Sequence, residues 1–483
     1  LSEEVQVLRA RLFENHVVVC GLGDSGLRFA LAFREEGWPV VAIEQDPDAP
    51  GVKEARAAGV PVVIGDACSP NALRRAHVQG AKYVIAVCGE ESRNAEIAVR
   101  VRELARGRSE ALTCFVSIRD VEVCDLLRQR ELETGYTPAF RLEFFSVAER
   151  GARALLGRSQ PFAAVETGQQ PHVVVVGTGW VGQALIVELA REWARRTCEL
   201  QAAHSDDNRL HITAIDLEAD AKVAFLLAKY SDLAQLVEIS PLSVDVQSAT
   251  FYDGRFLEYR GRAASAVYIC LPDEAMALSA AVALKQACYA LAINVLVVVR
   301  LREKGGLARL FPEGTAAAQA FIGVPMLDEA CGTGLLEDAL YERLGRAVHE
   351  HYLAQTIGQA GERSSRREWD SLDEEYREDS RAHAARVTAN LYAHGYRLVE
   401  RLAWAPGAGR GRATFVTRQE WRESPDIESM AQREHEEWCE HKRKNGWKYG
   451  RVFDPKKKTH PDLLPWNCNE LSEASKERCR NMI

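Results

Sequence analysis

Apolar residues recur along the first 325 positions with two alternating periods. Short continuous runs such as "HVVVC" (16–20) and "VVAIE" (40–44) are each followed by stretches with apolar positions three or four apart, as in "DSGLRFALAFREEG". The first pattern predicts buried strands and the second amphipathic helices packed against them. The series continues through "VPVVIGDACS", "AKYVIAVCGEESRNAEIAVRVREL" and "LTCFVSIRD", which makes a parallel sheet with helical crossovers. It then starts again at "HVVVVGTGWVGQALIVELARE", passes "HITAID", and closes with "AVYICLPDEAMALSAAVALKQA" and "VLVVVRLRE". The chain therefore holds an internal duplication of roughly 150 residues. Only Ala275 to Val299 approaches membrane length, but Lys285, Gln286 and Asn294 interrupt it, so a buried helix followed by a buried strand is expected. After about Met326 the periodicity turns helical and charged.

Each copy places glycines where its first strand meets its first helix: Gly21, Gly23 and Gly26, then Gly177, Gly179 and Gly182. These permit a tight turn and let a pyrophosphate approach a helix N-terminus, while the acid ending the second strand, Glu44 or Asp216, can accept hydrogen bonds from ribose hydroxyls. Asp24 complements the helix dipole itself and competes with a phosphate, and Trp180 fills the corresponding space in the second copy. Asp66 closes the third strand in "GD", whereas the second copy offers only Asp245 there.

At 483 residues the chain is too long for one core and predicts a multidomain protein. Its 47% apolar and 27% charged residues are ordinary for a globular chain, and a net charge of −8 argues against wholesale nucleic-acid binding. The twelve cysteines form no CxxC pair, which points to a reducing cytoplasm with neither a zinc site nor a disulfide frame. The chain begins at Leu1 rather than Met, so a fragment is expected. No substrate domain with a positioned acid or base follows either glycine turn, as an oxidoreductase would need.

The run "VVVCGLGDSGLRFALAF…VVAIEQD…VVIGDACSPNALRRA…AKYVIAVCGEESRNAEIA" resembles the RCK (regulator of potassium conductance, Trk-type NAD-binding) domains, well over 15 to 150 and more loosely over 170 to 325. "RLEFFSVAERGARALL" looks like the helical crossover through which such units pair. The resemblance implies tandem Rossmann-like folds and cytosolic rings under a potassium pore, with NAD(H) or an adenine nucleotide near Gly21, Gly23, Asp24, Gly26, Glu44 and Asp66. It carries the same role more weakly to Gly177, Gly179, Gly182 and Asp216.

The last block, "DIESMAQREHEEWCEHKRKNGWKYGRVFDPKKKTHPDLLPWNCNELSEASKERCRNMI", resembles the ryanodine-receptor repeat (RyR domain) over 426–483. The segment before it echoes it: "HEHY" (349–352) stands against "HEEW" (435–438), and "REWDSLDEEYREDSR" against "LPWNCNELSEASKERCR". Such repeats come in pairs, so 326–425 is expected to contain a degenerate first repeat. Cations among aromatics suit phosphates and stacked bases. His435, Trp438, Trp447, Tyr449, Lys456, Lys457, Lys458 and Trp466 are the expected pocket for a nucleotide-type anionic messenger. Binding of long nucleic acid is not expected.

The expected layout is α/β: an N-terminal helix or linker (1–14), a first RCK fold (15–135), a helical crossover (136–168), a second RCK fold (169–325), a connector (326–425) and a mainly helical RyR-type domain (426–483). The expected function is a non-catalytic, oligomeric sensor at the inner face of the membrane, whose partner is a pore upstream of Leu1. A soluble NAD-dependent oxidoreductase or a ligand-free scaffold are the alternatives.

Overall fold

The computed structural model describes residues 8–108, 110–134, 139–163, 170–199, 209–230, 233–302, 321–356, 364–396, 421 and 423–482. Residues 1–7 of the expected linker and most of 397–425 of the expected connector lie outside the described residues. The chain divides into two compact units. One runs up to Asp125 and from Leu142 to Leu335, and the other takes Leu126–Arg141 and the described residues from Leu336 onward.

The duplication is realised as two six-stranded parallel sheets. The first has the order β3-β2-β1-β4-β5-β6, built from β1 (His16–Cys20), β2 (Val40–Glu44), β3 (Val62–Ile64), β4 (Ala81–Ala86), β5 (Leu112–Ser117) and β6 (Phe140–Phe145). The second has the order β14-β13-β12-β7-β8-β9, built from β7 (His172–Val176), β8 (Leu210–Asp216), β9 (Val237–Ser243), β12 (Ala266–Ile269), β13 (Leu296–Leu301) and β14 (Ile322–Pro325). A two-strand ribbon, β10 (Glu258–Tyr259) with β11 (Arg262–Ala263), interrupts the second copy. The main helices of the first copy are α1 (Asp24–Glu35), α2 (Pro50–Ala57), α3 (Glu91–Leu104), α4 (Val121–Thr134) and α5 (Val147–Gly157). Those of the second are α6 (Trp180–Glu199), α7 (Ala219–Lys229), α8 (Glu274–Ala290) and α9 (Met326–Ala330). The central strands β1 and β7 are buried along their whole length, as the unbroken apolar runs require.

The stretch expected as a purely helical crossover opens with β6, a sixth strand, before α5 begins at a Ser146 cap. The strand is signalled by "FRLEFF", which alternates apolar and polar residues over 140–144, a period of two that the helical reading of the whole stretch did not use. α5 then packs on α6 and α9, and Gly151 allows the α9 contact: a Cβ there would lie 2.6 Å from Met326 Cγ.

The second unit contains α10 (Leu340–Thr356), α11 (Glu374–Ala393), α12 (Asp426–Lys444) and α13 (Glu473–Met482), with the short pair β15 (Lys448–Tyr449) and β16 (Thr459–His460) between the last two helices. α10 packs on α11, α11 on α12, and α12 on α13.

Candidate functional site

At the first glycine turn, Gly21 takes φ +95°, a backbone open to glycine at little cost, and its N–H donates to the Ile43 carbonyl at 2.8 Å. A Cβ on Gly26 would sit 1.9 Å from Gly21 O, and one on Gly51, at the start of α2, 2.1 Å from Leu22 O. A Cβ on Gly23 would meet nothing within 4 Å. Two of the three fingerprint glycines are thus required by the protein's own packing, while Gly23 faces open space, which is the place where a pyrophosphate backbone contact would form.

Glu44 fastens this turn. Its Oε2 accepts the Leu22 N–H at 2.6 Å, and Oε1 accepts those of Gln45 and Asp46 at 2.8 and 3.0 Å. Asp66 accepts the Cys68 N–H at 2.9 Å and an Arg93 Nη2 bond at 2.6 Å, and the same nitrogen reaches Gln45 Oε1 at 3.1 Å. Arg93, absent from the sequence reading, therefore ties the ends of β2 and β3 together from the first turn of α3. Buried Asn94 bonds the Cys88 N–H and the carbonyls of Cys88 and Ser117. Burial raises the thiol of Cys88 to about 11 and also lifts that of Cys68, so neither is a nucleophile at neutral pH. Among the described residues no group of three or more metal-ligating side chains occurs.

The second turn repeats the frame with different chemistry. Gly177 has φ +88°, a Cβ on Gly182 would lie 1.9 Å from Gly177 O, and one on Gly179 would meet nothing within 4 Å. Asp216 accepts the Thr178 N–H at 2.8 Å, as Glu44 does for Leu22, but also holds Lys222 Nζ at 2.6 Å. Burial acts to raise the Asp216 carboxyl, and the bonds from Lys222 and Thr178 outweigh it to leave the group below the usual carboxylate range. Asp245 proves to be the counterpart of Asp66. Asp66 accepts from Cys68 N and Asp245 from Gln247 N at 2.8 Å, and in both copies the next serine, Ser69 or Ser248, caps a short helix. The only change in the pair is Val244 for Gly65. Glu91 and Glu274 likewise accept the N–H of Arg119 and Arg302 at 2.7 and 2.6 Å, so the residues two places on, Arg93 and Met276, are equivalent. The second copy thus lacks the cation that spans the first.

Asp24 is ion-paired with Arg302, and exposed Trp180 lies under Arg119, whose Cζ is 5.8 Å from the ring centroid.

In the C-terminal module, the structure divides the expected pocket residues between core and surface. His435, Trp447 and Trp466 are buried at 3%, 6% and 3% exposure. His435 donates through Nε2 to the Leu464 carbonyl at 2.8 Å, and Trp447 stacks on Phe453 with centroids 5.7 Å apart. Trp438 is half-buried, edge-on to His460. These four rings build the small core, as short domains often require. Tyr449 is exposed and donates to Glu470 at 3.0 Å. Asp454 accepts the N–H groups of Lys456 and Lys457 at 3.0 and 3.1 Å, and Lys458 turns back through φ +50° to the Asn445 carbonyl. The loop therefore presents Lys448, Arg451, Lys456 and Lys457 outward, and among the described residues the first three have no carboxylate partner. Lys442, on α12, is taken by Asp379 at 2.5 Å and lies 5.0 Å from the Trp447 centroid.

One constellation occurs twice in this unit. Trp466 Nε1 donates to Glu428, which also receives Arg480 Nε at 2.7 Å, and Arg480 Nη1 reaches Glu473 and Glu477 at 2.6 and 3.1 Å. Trp369 Nε1 donates to Glu342, which also receives Arg381 Nε at 2.6 Å, and Arg381 Nη1 reaches Glu374 and Glu378 at 2.8 and 3.2 Å. His349 parallels His435, bonding the Arg367 carbonyl at 2.7 Å. Among the described residues of 340–394 nothing answers the loop 446–462.

Residues 17–135 match the family model of the TrkA-N domain, and residues 420–483 match that of the RyR domain. The chain carries a domain of each kind. No curated protein matches it. Among solved structures, a GsuK mutant is 15% identical with a TM-score of 0.44, covering 68% of this chain and 70% of that one. GsuK bound to ADP gives 15% and 0.43 over 68% and 69%, and the GsuK channel bound to NAD gives 12% and 0.41 over 69% and 66%.

Proposed function

We propose that this chain is a non-catalytic, ligand-sensing module that regulates a potassium channel or transporter, with an adenine nucleotide or NAD(H) bound at the first glycine turn. The observation that carries this reading is the coincidence of the TrkA-N match over 17–135 with a turn whose Gly23 is open, whose Glu44 fastens the loop, and whose Asp66 and Arg93 span the adjoining strand ends. GsuK structures with ADP or NAD indicate which ligands to try first. A ligand acts on a partner only through unequal affinity for two conformations, so the partner this reading requires is a membrane pore at the cytoplasmic face whose states the module biases. The second fold, with Asp216 neutralised by Lys222 and Met276 in place of Arg93, serves pairing within an oligomer. Among the described residues no helix is long and apolar enough to cross a membrane.

The RyR domain is the second proposed receptor. The exposed cations Lys448, Arg451, Lys456 and Lys457 beside Tyr449 suit a nucleotide-like anionic messenger. The residues 340–394 are a degenerate partner repeat that lacks this loop. Calorimetric titration of the whole chain with ADP, NAD, NADH and cyclic dinucleotides tests both parts. Heat of binding for ADP or NAD that is lost in Glu44→Ala supports the first, and cyclic-dinucleotide binding lost in Lys456→Glu/Lys457→Glu supports the second. Absence of binding by every ligand at millimolar concentration overturns the sensor reading.

A further inference from the structure

The two glycine turns are each met by an arginine from the other fold. Arg119 follows β5 in the first copy and Arg302 follows β13 in the second, at equivalent positions: both backbone N–H groups are held by the glutamate in the first turn of the preceding helix, Glu91 at 2.7 Å and Glu274 at 2.6 Å. Their targets are equivalent as well. Arg302 pairs with Asp24, the residue after Gly23, and Arg119 stacks over Trp180, the residue after Gly179. Two contacts related by the same internal symmetry are hard to ascribe to chance placement of surface side chains.

The chemistry of the two differs. Trp180 gives Arg119 a ring face, which offers no reason for the guanidinium to leave. Asp24 gives Arg302 a single carboxylate, and both groups are more than half exposed, at 64% and 54%, so solvent screens the pair. A guanidinium prefers a phosphate with two accessible oxygens, which it meets through parallel N–H bonds. A pyrophosphate brought to Gly23 would place such oxygens beside Asp24, where their like charge would repel the carboxylate and compete for its partner.

We propose that Arg302 is a phosphate-recognising residue of the first site contributed by the second fold, and that Asp24 holds it in the ligand-free protein. The inference rests on the nucleotide reading of the first turn. It gives the second fold a task in ligand binding without a ligand of its own, since occupancy of the first site would pull on Arg302 at the end of β13 and, through the Glu274 tether, on α8.

The test is calorimetric titration of the full chain with ADP, and with adenosine as the probe lacking phosphate. Arg302→Gln should weaken ADP at least tenfold while leaving adenosine unchanged, and Arg302→Lys should recover part of the loss. Asp24→Asn should tighten ADP several-fold by freeing the arginine. Arg119→Gln, the symmetric change, should leave ADP affinity within twofold. Melting temperatures of the free variants identify any that fail to fold, and the lysine variant then stands in. ADP binding by Arg302→Gln within twofold of wild type, or equal loss of ADP and adenosine, overturns the proposal while leaving the nucleotide reading intact. Failure of the wild-type chain to bind ADP overturns this proposal, and failure to bind ADP, NAD and NADH alike overturns the nucleotide reading with it.

Discussion

At the scale of single residues, the three glycines of a fingerprint do separable jobs. Gly26→Ala forces a Cβ to 1.9 Å from a backbone oxygen that cannot yield cheaply, so it should destabilise the first fold by more than 2 kcal/mol, at the upper range for point changes, roughly 1–3 kcal/mol. Gly23→Ala meets open space and should change stability by no more than about 0.5 kcal/mol, yet abolish ADP binding by occupying the approach of the phosphate. Thermal melts with and without ADP separate the two effects, and equal destabilisation by both substitutions would refute the division of labour. These glycines, Glu44 and Asp66 were legible because their spacing follows a strand-turn-helix order. Arg93 was not, because its role depends on bringing residue 93 to residues 45 and 66 across the sheet ends. Asp245 stood out only weakly as the counterpart of Asp66 because Val244 replaces the glycine that marks the motif, while the Asp-x-x-Ser turn that does the structural work is kept. In the C-terminal module the cations among aromatics marked His435, Trp447 and Trp466 as pocket residues, and the fold buries all three.

At the scale of elements, buried titratable groups give the two units different acid sensitivity. His172 and His211, neighbouring at the start of β7 and β8, are each lowered to about 4, chiefly by burial. A histidine whose folded value lies below its unfolded value of about 6.5 leaves the unfolded chain binding more protons between the two, so stability falls as pH drops from about 6.5 to 4. On α12, Glu434 is buried at 3% exposure; burial acts to raise its carboxyl, but His383 at 2.5 Å and Arg386 hold it down to about 2. Its stabilisation is complete above about 4.5 and is lost as pH falls towards 2, on the order of 3 kcal/mol for such a shift. Melting curves from pH 7 to 3 should therefore show the first unit weakening before the second. His172→Gln/His211→Gln should flatten only the earlier decline, and an unchanged profile would exclude these histidines as its source. Helix packing supplies a separate test. Gly151→Leu should drive α5 from α9 and lower stability by about 1–3 kcal/mol as an overpacking change, with Met326→Ala in the same chain restoring part of it. The resemblance implied a helix where α5 lies, whereas its contact with a helix 175 positions away, Gly151 to Met326, could only be seen folded.

At the scale of the molecule, the duplicated halves differ in how much they retain. In the first unit both sheets keep the same strand order, while the second copy adds the β10–β11 ribbon and changes the side chains around its glycine turn. In the second, the tryptophan–glutamate–arginine clamp survives in both halves while, among the described residues, the basic loop occurs in one. Conservation of a clamp without its loop is expected if the 340–394 half is kept as a brace. It supplies His383 and Arg386 to Glu434, Asp379 to Lys442, and Asn390 to the Met430 carbonyl at 2.7 Å. Arg381, at 7% side-chain exposure, faces three carboxylates of which Glu342 is the most enclosed, so Arg381→Ala should cost about 2–3 kcal/mol once solvent screening of the more exposed Glu374 and Glu378 is allowed for. Arg480→Ala, at 24% exposure, should cost less. Calorimetry of the whole chain should then show two unfolding transitions. ADP at a hundredfold excess over its dissociation constant should raise the transition of the first unit by the equivalent of about 2.7 kcal/mol, and Arg381→Ala should lower that of the second. A single transition moved equally by both changes would mean that the braced module and the sheet pair melt as one body.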